Sequence, residues 1–250
     1  MGWRFRPRAI PTVFMVCGGA FLASLGAWQL SRLNDAAEVR VAWATRLAEP
    51  EVTAASAGVS DAGRRGAVVG VPDWDRHMRI AGKYMWMEIG EQLVVPVRAD
   101  DRWVLVNVGW VPLDESALIV ARERGEPAPR RYSGLLRAAV EPDARGDFPL
   151  EDGFQRRWRS ADVAAMGAQL GEGTRVAPLI LVEGEGLAAD APISDRQPPI
   201  GGWRTTPPER PHGQYAFTWF SLAFTLVGVW ASMSLQRAPE PRGVDPSAPL

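Results

Sequence analysis

One cysteine, two histidines and a formal net charge of −1 across 250 residues exclude several classes of function at once. Cys17, the lone cysteine, lies inside an apolar run, so the polar part of the chain has neither a disulfide nor thiol chemistry. His77 and His212 alone cannot assemble a zinc centre of the Cys/His kind within one chain. A charge this close to zero gives no basic footprint for nucleic acid, which is not expected as a partner. Nucleotide and hydrolase signatures are missing too. There is no G-x-x-x-x-G-K-[ST] phosphate loop and no H-E-x-x-H, and the pairs Gly171/Gly173 and Gly184/Gly186 lack a third glycine in a strand-to-helix context. Ser60 does not complete a G-x-S-x-G elbow. The close carboxylates Asp100/Asp101, Glu151/Asp152 and Glu183/Glu185 read as solvated turn residues rather than an acid–base pair. The chain is therefore not expected to be an enzyme.

What the chain does have is two uncharged, strongly apolar segments, Ile10–Leu30 and Tyr215–Leu235. Each is about 21 residues, which at helical rise spans roughly 31 Å, the thickness of a hydrocarbon core. Arg4, Arg6 and Arg8 precede the first segment with no acidic residue among them, so residues 1–9 are expected in the cytoplasm. The stretch 31–214 is too long for its own charges to govern translocation and is expected outside, as a periplasmic α+β domain. After the second span, residues 236–250 return to the cytoplasm by parity, as a Pro-containing tail expected to be disordered. The rival reading is a signal peptide cleaved near Ser24-Leu25-Gly26, but the apolar run exceeds the roughly 7–15 residues of a signal core. Trp3 and Trp28 bracket the first span, and Trp203 and Trp219 approach or enter the second, as amphipathic rings do near headgroups of membrane lipid.

Between the spans, Leu33–Leu47 reads as a helix continuing from the membrane, and Ala48–Gly70 as a loop. Strand patterns follow at Arg79–Tyr84, Gln92–Arg98 and Trp103–Val108, the last two joined by an Asp100-Asp101 hairpin turn. Asp114–Arg124 reads as a short helix capped by Asp114, and Tyr132–Val140 as a strand. Ser160–Leu170 reads as a helix with Ser160 as N-cap and Gly171 as stop, Arg175–Val182 as the last strand, and Ala188–Pro211 as a Pro-rich approach to the membrane. The fold class is thus an α+β membrane protein, with two transmembrane helices flanking a mainly antiparallel β domain that carries short helices.

The residues with chemical potential sit at the second span. Pro211 suits the first position of a helix, which places His212 in its first turn. His212, Tyr215/Ala216 and Trp219 then fall on one helical face, an imidazole above an aromatic wall. Such an arrangement suits an axial ligand to a lipophilic porphyrin. It equally suits an interfacial histidine that hydrogen-bonds headgroups or loop carbonyls, and the chemistry alone favours that second reading. His77 precedes Met78-Arg79-Ile80 at the start of a strand and reads as structural.

Three stretches carry a resemblance. Leu25-Gly26-Ala27-Trp28-Gln29-Leu30-Ser31-Arg32-Leu33 resembles the L-G-x-W-Q-L-x-R-L signature of the Surfeit locus protein 1 family. Val104–Pro112 resembles its V-L-V-N-R-G-W-V-P strand and turn, and Pro208–Leu222 its P-x-x-H-x-x-Y-A-x-x-W-F-x-L lead into the second span. Trp158 through Gly171 also looks like the family's W-x-x-x-D…L-G helix. The motifs stand in the family's order and cover essentially the whole chain.

The resemblance implies an assembly factor for haem–copper cytochrome c oxidase that binds haem a and helps insert it into the large oxidase subunit. Haem A synthase is a further implied partner. The implied location is a bacterial inner membrane, since no mitochondrial presequence precedes the first span. Residue by residue, His212 matches the proposed ligand to the haem iron, and Tyr215 and Trp219 its aromatic companions. Gly26, Trp28, Gln29, Arg32, Asn107, Gly109 and Trp110 match family-typical positions. Val108 departs, standing where the family usually has arginine, with Arg98 and Arg102 as nearby replacements; Gly213 stands where a leucine is common. On this reading Gly19, Ala23 and Ala27 pack against Gly228 and Ser232, the haem tail lies among Phe217 and Phe220, and Arg32 and Arg210 face the propionates. The alternatives are a scaffold that steadies the oxidase core subunit without touching haem, and, more remotely, a membrane-anchored hydrolase or sensor.

Overall fold

The computed structural model describes residues 3–85, 88–125, 128–140, 148–151, 153–187, 197–205 and 210–237. Its helices are α1 (Ala9–Ala48), α2 (Ser116–Glu123), α3 (Val163–Ala168) and α4 (His212–Ser234). The main strands are β1 (Arg65–Pro72), β2 (Met78–Met85), β3 (Glu88–Ala99), β4 (Arg102–Pro112), β5 (Arg130–Ala138) and β6 (Arg175–Glu183). The chain divides into two compact units, Met1–Val39 with Glu209–Leu250, and Arg40–Pro208.

In the first unit the helices are long and apolar enough to cross a membrane. The expected span and the expected helix after it are a single 40-residue helix, α1, because no glycine or proline interrupts the chain between Gly26 and Ala48. α4 lies antiparallel to it. Thr12 meets Trp230, Gly18 meets Leu226, Gly26 meets Phe220 and Gln29 meets His212, in steps of one or two turns. This seam corrects the expected stripe, since Gly19 and Gly228 have nothing within 4 Å of where a β-carbon would stand. Gly26 takes that role instead: its β-carbon would stand 2.7 Å from the Phe220 ring, so the close approach needs its bare backbone. Beyond the helices, Trp3–Phe5 pairs antiparallel with Leu235–Arg237, and the Phe5 and Trp230 rings meet edge to face at 5.4 Å. Residues 238–250 of the expected tail lie outside the described residues.

The second unit is a small closed barrel. In spatial order β1, β5, β6, β4 and β3 pair edge to edge, and β3 returns to β1 through Val71 opposite Arg98 and Pro72 opposite Val97. Only β4 with β6 is parallel in this ring; the other pairings are antiparallel. β2 extends the sheet beyond the N-terminal half of β3, and the two-residue strand Arg157–Trp158 adds to it in parallel. Both faces of β3 and β4 are covered, which is why they read as near-continuous apolar runs. Leu93, Val95 and Val97 join the inner core, while Val94 and Leu105 join an outer cluster closed by Val163 and Met166 of α3. A mainly antiparallel β domain with short helices is therefore what the two apolar helices flank.

Several local expectations change. The expected loop 48–70 contains Val52–Thr53, a 3-10 turn at Val59–Asp61 and most of β1. β1 forms although Gly66 and Gly70 dilute its signal, because both its edges are paired and Ala67 and Val68 are buried. α2 begins at Ser116, so Asp114 does not cap it. α3 is capped by Asp162, whose carboxylate accepts from the Ala165 N–H at 3.0 Å, not by Ser160. Pro211 occupies the N-cap position of α4, one residue earlier than expected, and His212 is the first helical residue.

Tyr132 is fully buried in the barrel core, and its hydroxyl has no hydrogen-bond partner among the described residues. Burial pushes that hydroxyl up to about 12. A free tyrosine ionises near 10, so between those values the unfolded chain loses its proton first and stability falls as pH rises. Tyr132→Phe is expected to raise stability by about 1 kcal/mol at neutral pH, by removing an unsatisfied polar group. It is also expected to abolish a loss of roughly 2–3 kcal/mol between pH 10 and 12. Thermal unfolding followed by circular dichroism at pH 8 and pH 11 reads both effects.

Candidate functional site

α4 starts at His212 because Pro211, with its fixed φ and missing N–H, sits where a helix begins; the His212 N–H donates to the Arg210 carbonyl at 2.8 Å and the Tyr215 N–H to the Pro211 carbonyl at 3.1 Å. α1 carries Gln29 on the seam it shares with α4, three residues after Gly26 and so about one turn further along. The two side chains meet: His212 Nδ1 lies 2.9 Å from Gln29 Oε1. An amide oxygen can only accept, so Nδ1 donates, and in the neutral ring Nε2 then keeps its lone pair. A histidine held through one nitrogen with the other left available is how proteins prepare an imidazole for a metal. Among the described residues no cluster of three His, Cys, Asp or Glu side chains offers a site of another kind.

The neighbours on α4 divide. Ala216 is buried, Trp219 is half-buried, and Tyr215 is 53% exposed on the rim of the same turn. Phe217 is 75% exposed, while the Phe220 ring is spent on Gly26. On α1, Trp28 is exposed and Arg32 is exposed in a pair with Asp35 at 3.3 Å. Arg210 precedes α4 and is exposed.

The other family-typical positions lie in the barrel, where their work is architectural. β3 and β4 slip register at Leu93/Val94, so Val108 is an extra residue in the ladder, and Gly109 takes φ +133° to follow it. Asn107 Oδ1 accepts from the Gly109 N–H at 3.1 Å and fixes this bulge. Trp110 exchanges backbone hydrogen bonds with Ile200 at 3.0 and 2.8 Å, and its indole donates to the Lys83 carbonyl at 3.0 Å. Val108 itself is buried in the apolar core, so this place does not present a side chain to solvent. Arg102 is engaged with the Ala55 carbonyl at 3.1 Å, and Arg98 lines a groove beside Trp103.

His77 is structural, as its sequence setting suggests. Its Nδ1 bonds the Trp74 carbonyl at 2.8 Å, and burial holds its pKa below the usual histidine range. A buried ionic cluster has no counterpart in the sequence reading. Glu91, fully buried on β3, meets Arg157 Nε at 2.6 Å and Arg79 at 3.6 Å, and Arg79 also reaches Glu151 at 3.0 Å. It ties the strand Arg157–Trp158 to β2 and β3. Glu91 gave no local signal, because a charge in a strand reads as outward-facing.

The SURF1 family model matches residues 16–224, most of the chain, including α1 from its second turn through more than half of α4. No curated protein matches it.

Proposed function

The chain belongs to the SURF1 family of cytochrome c oxidase assembly factors, and from that premise we propose that it holds haem a at the membrane and helps deliver it to the large oxidase subunit. The observation that carries this reading is the His212–Gln29 hydrogen bond, which leaves His212 Nε2 as a prepared axial donor. Haem a here is cargo. Its long apolar tail makes it insoluble in water, so a carrier must offer both an iron ligand and an apolar surface. His212 provides the first, and exposed Phe217 and Tyr215 on the same end of α4 provide part of the second.

Arg32 and Arg210 are cations available to the propionates. Among the described residues Arg32 is bound only to exposed Asp35, and an exposed pair of this kind is worth about 0–1 kcal/mol, so exchanging it for a propionate costs little. A carrier that grips iron through one imidazole can also let go, which transfer requires. Haem A synthase is the natural donor and the large oxidase subunit the acceptor. The setting is a bacterial inner membrane, with both termini cytoplasmic, the barrel periplasmic, and the exposed phenylalanines of α1 and α4 facing lipid.

The test is the visible spectrum of the detergent-purified full chain from cells that make haem A. A Soret band at one haem per chain is expected. A colourless protein that still binds the oxidase large subunit would instead support the scaffold reading, with His212 as an interfacial helix-start residue.

A further inference from the structure

On the outer face of the barrel lies a cavity of about 460 Å³. Four cations line it, Lys83, Arg137, Arg159 and Arg204, and among the described residues no carboxylate does. A larger groove of about 610 Å³ beside Trp103 is different, because carboxylates line it, Asp73 and Asp75 pairing with Arg76 and Arg124.

Of the family-typical residues of the barrel, Asn107 lines the smaller cavity, and Gly109 and Trp110 belong to the segments around it. Two bulges border it. One shifts β2 against β3 between Ile80 and Lys83, around Gly82; the other is the Val108 bulge of β4. Lys83 follows the first and Asn107 precedes the second, so both side chains reach the cavity. The Trp110 indole ties the two irregular segments together through the Lys83 carbonyl. The pairing of Trp110 with Ile200 then carries the chain on to Trp203 and Arg204, which line the cavity as well. Asn107 Oδ1 is used by Gly109, which leaves its amide nitrogen as a donor within the cavity. Ile80, Ile180 and Trp203 add apolar surface.

We propose that this cavity binds a compact amphipathic anion, a carboxylate or phosphate on an apolar body. Lys83, Arg137 and the Asn107 amide take the charged group, through charge-assisted hydrogen bonds that strengthen out of bulk water. Ile80, Ile180 and Trp203 take the apolar part. The volume is that of a small-molecule site, roughly 300–1,000 Å³. The site stands whether or not His212 holds haem.

Lys83 is the only lysine in the chain, which gives the test a located probe. Reductive methylation with ¹³C-formaldehyde keeps its charge and labels Lys83 and the terminal amine alone. The full chain in phosphatidylcholine nanodiscs is titrated with phenyl phosphate. The Lys83 methyl resonance is expected to shift saturably while the terminal one stays still. Inorganic phosphate, lacking the ring, is expected to bind roughly tenfold more weakly. Arg137→Gln, a change at an exposed residue, is expected to weaken phenyl phosphate by about tenfold, the loss of one charge-assisted hydrogen bond. Arg175→Gln, elsewhere and paired with exposed Asp101, is expected to change nothing. A motionless Lys83 resonance, or equal affinity in Arg137→Gln, overturns the site. Equal binding of inorganic phosphate overturns the apolar half of it. sn-Glycerol 3-phosphate bound as tightly as phenyl phosphate reassigns the cavity to lipid headgroups and overturns the amphipathic ligand.

Discussion

His212→Ala is expected to give a purified chain without a Soret band, with the barrel unfolding at the wild-type temperature. His212 is the first residue of α4 and half-exposed, and among the described residues its ring makes one polar contact, with Gln29, so removing it leaves no large cavity. What it removes is the prepared Nε2 donor. Gln29 separates ligation from mere packing. Gln29→Leu keeps the bulk but deletes the acceptor that holds Nδ1–H, and haem affinity is expected to fall by about 10–100-fold, the usual effect of losing such a support. Gln29→Glu restores an acceptor and is expected to recover the band, with its position shifted because a carboxylate makes the imidazole a stronger donor. Absorbance titration of the apo chain with haem, alongside a melting curve, measures all three. A full Soret band in His212→Ala would sink the assignment; unchanged affinity in Gln29→Leu would confine Gln29 to packing.

How much of this was legible depends on whether the signal is local. The two spans follow from length and absence of charge, and the Asp100-Asp101 hairpin from turn residues between two apolar runs; each is written within a few residues. The seam between the spans is not. Small residues at Gly18, Gly19, Ala20, Ala23, Gly26 and Ala27 define several overlapping stripes on α1, and the one used is selected by Leu226 and Phe220 on the other helix. Barrel closure is equally non-local, since Val71 and Pro72 pair with Arg98 and Val97 across the whole of the intervening hairpin. β1 was hidden for the same reason: its glycines weaken local preference and tertiary pairing overrides it. His212 is visible as part of a motif, but its partner Gln29 is 183 residues away, so their pairing needs the folded chain. The cavity cations lie at 83, 137, 159 and 204, each unremarkable in its own segment.

The central motif illustrates the point, and its glycine carries the largest expected effect on stability. At Gly109, φ is +133°, and a β-carbon there would stand 2.5 Å from the Ile200 carbonyl carbon and 2.6 Å from the Gly201 nitrogen. Neither is a flexible side-chain end that can swing aside; both are backbone. Gly109→Ala must therefore carry conformational strain of about 1–3 kcal/mol and also push the segment 200–204 off β4. That displacement breaks the two Trp110–Ile200 hydrogen bonds, worth about 1 kcal/mol each. The expected sum is roughly 3–5 kcal/mol, or about 10 °C in the melting temperature of a unit this size. Gly82→Ala is the matched control. Gly82 has φ +71° in the neighbouring bulge but nothing within 4 Å of a β-carbon, so strain alone should cost about 1–2 kcal/mol. Thermal unfolding of the two variants by circular dichroism gives the difference directly. If both fell by the same small amount, the close approach of Ile200 would not be a structural requirement. If Gly109→Ala falls several-fold further, the conformation and the crossing segment act together. The V-N-V-G-W stretch then serves to pin residues 200–204 onto the barrel, and with them the wall of the cationic cavity.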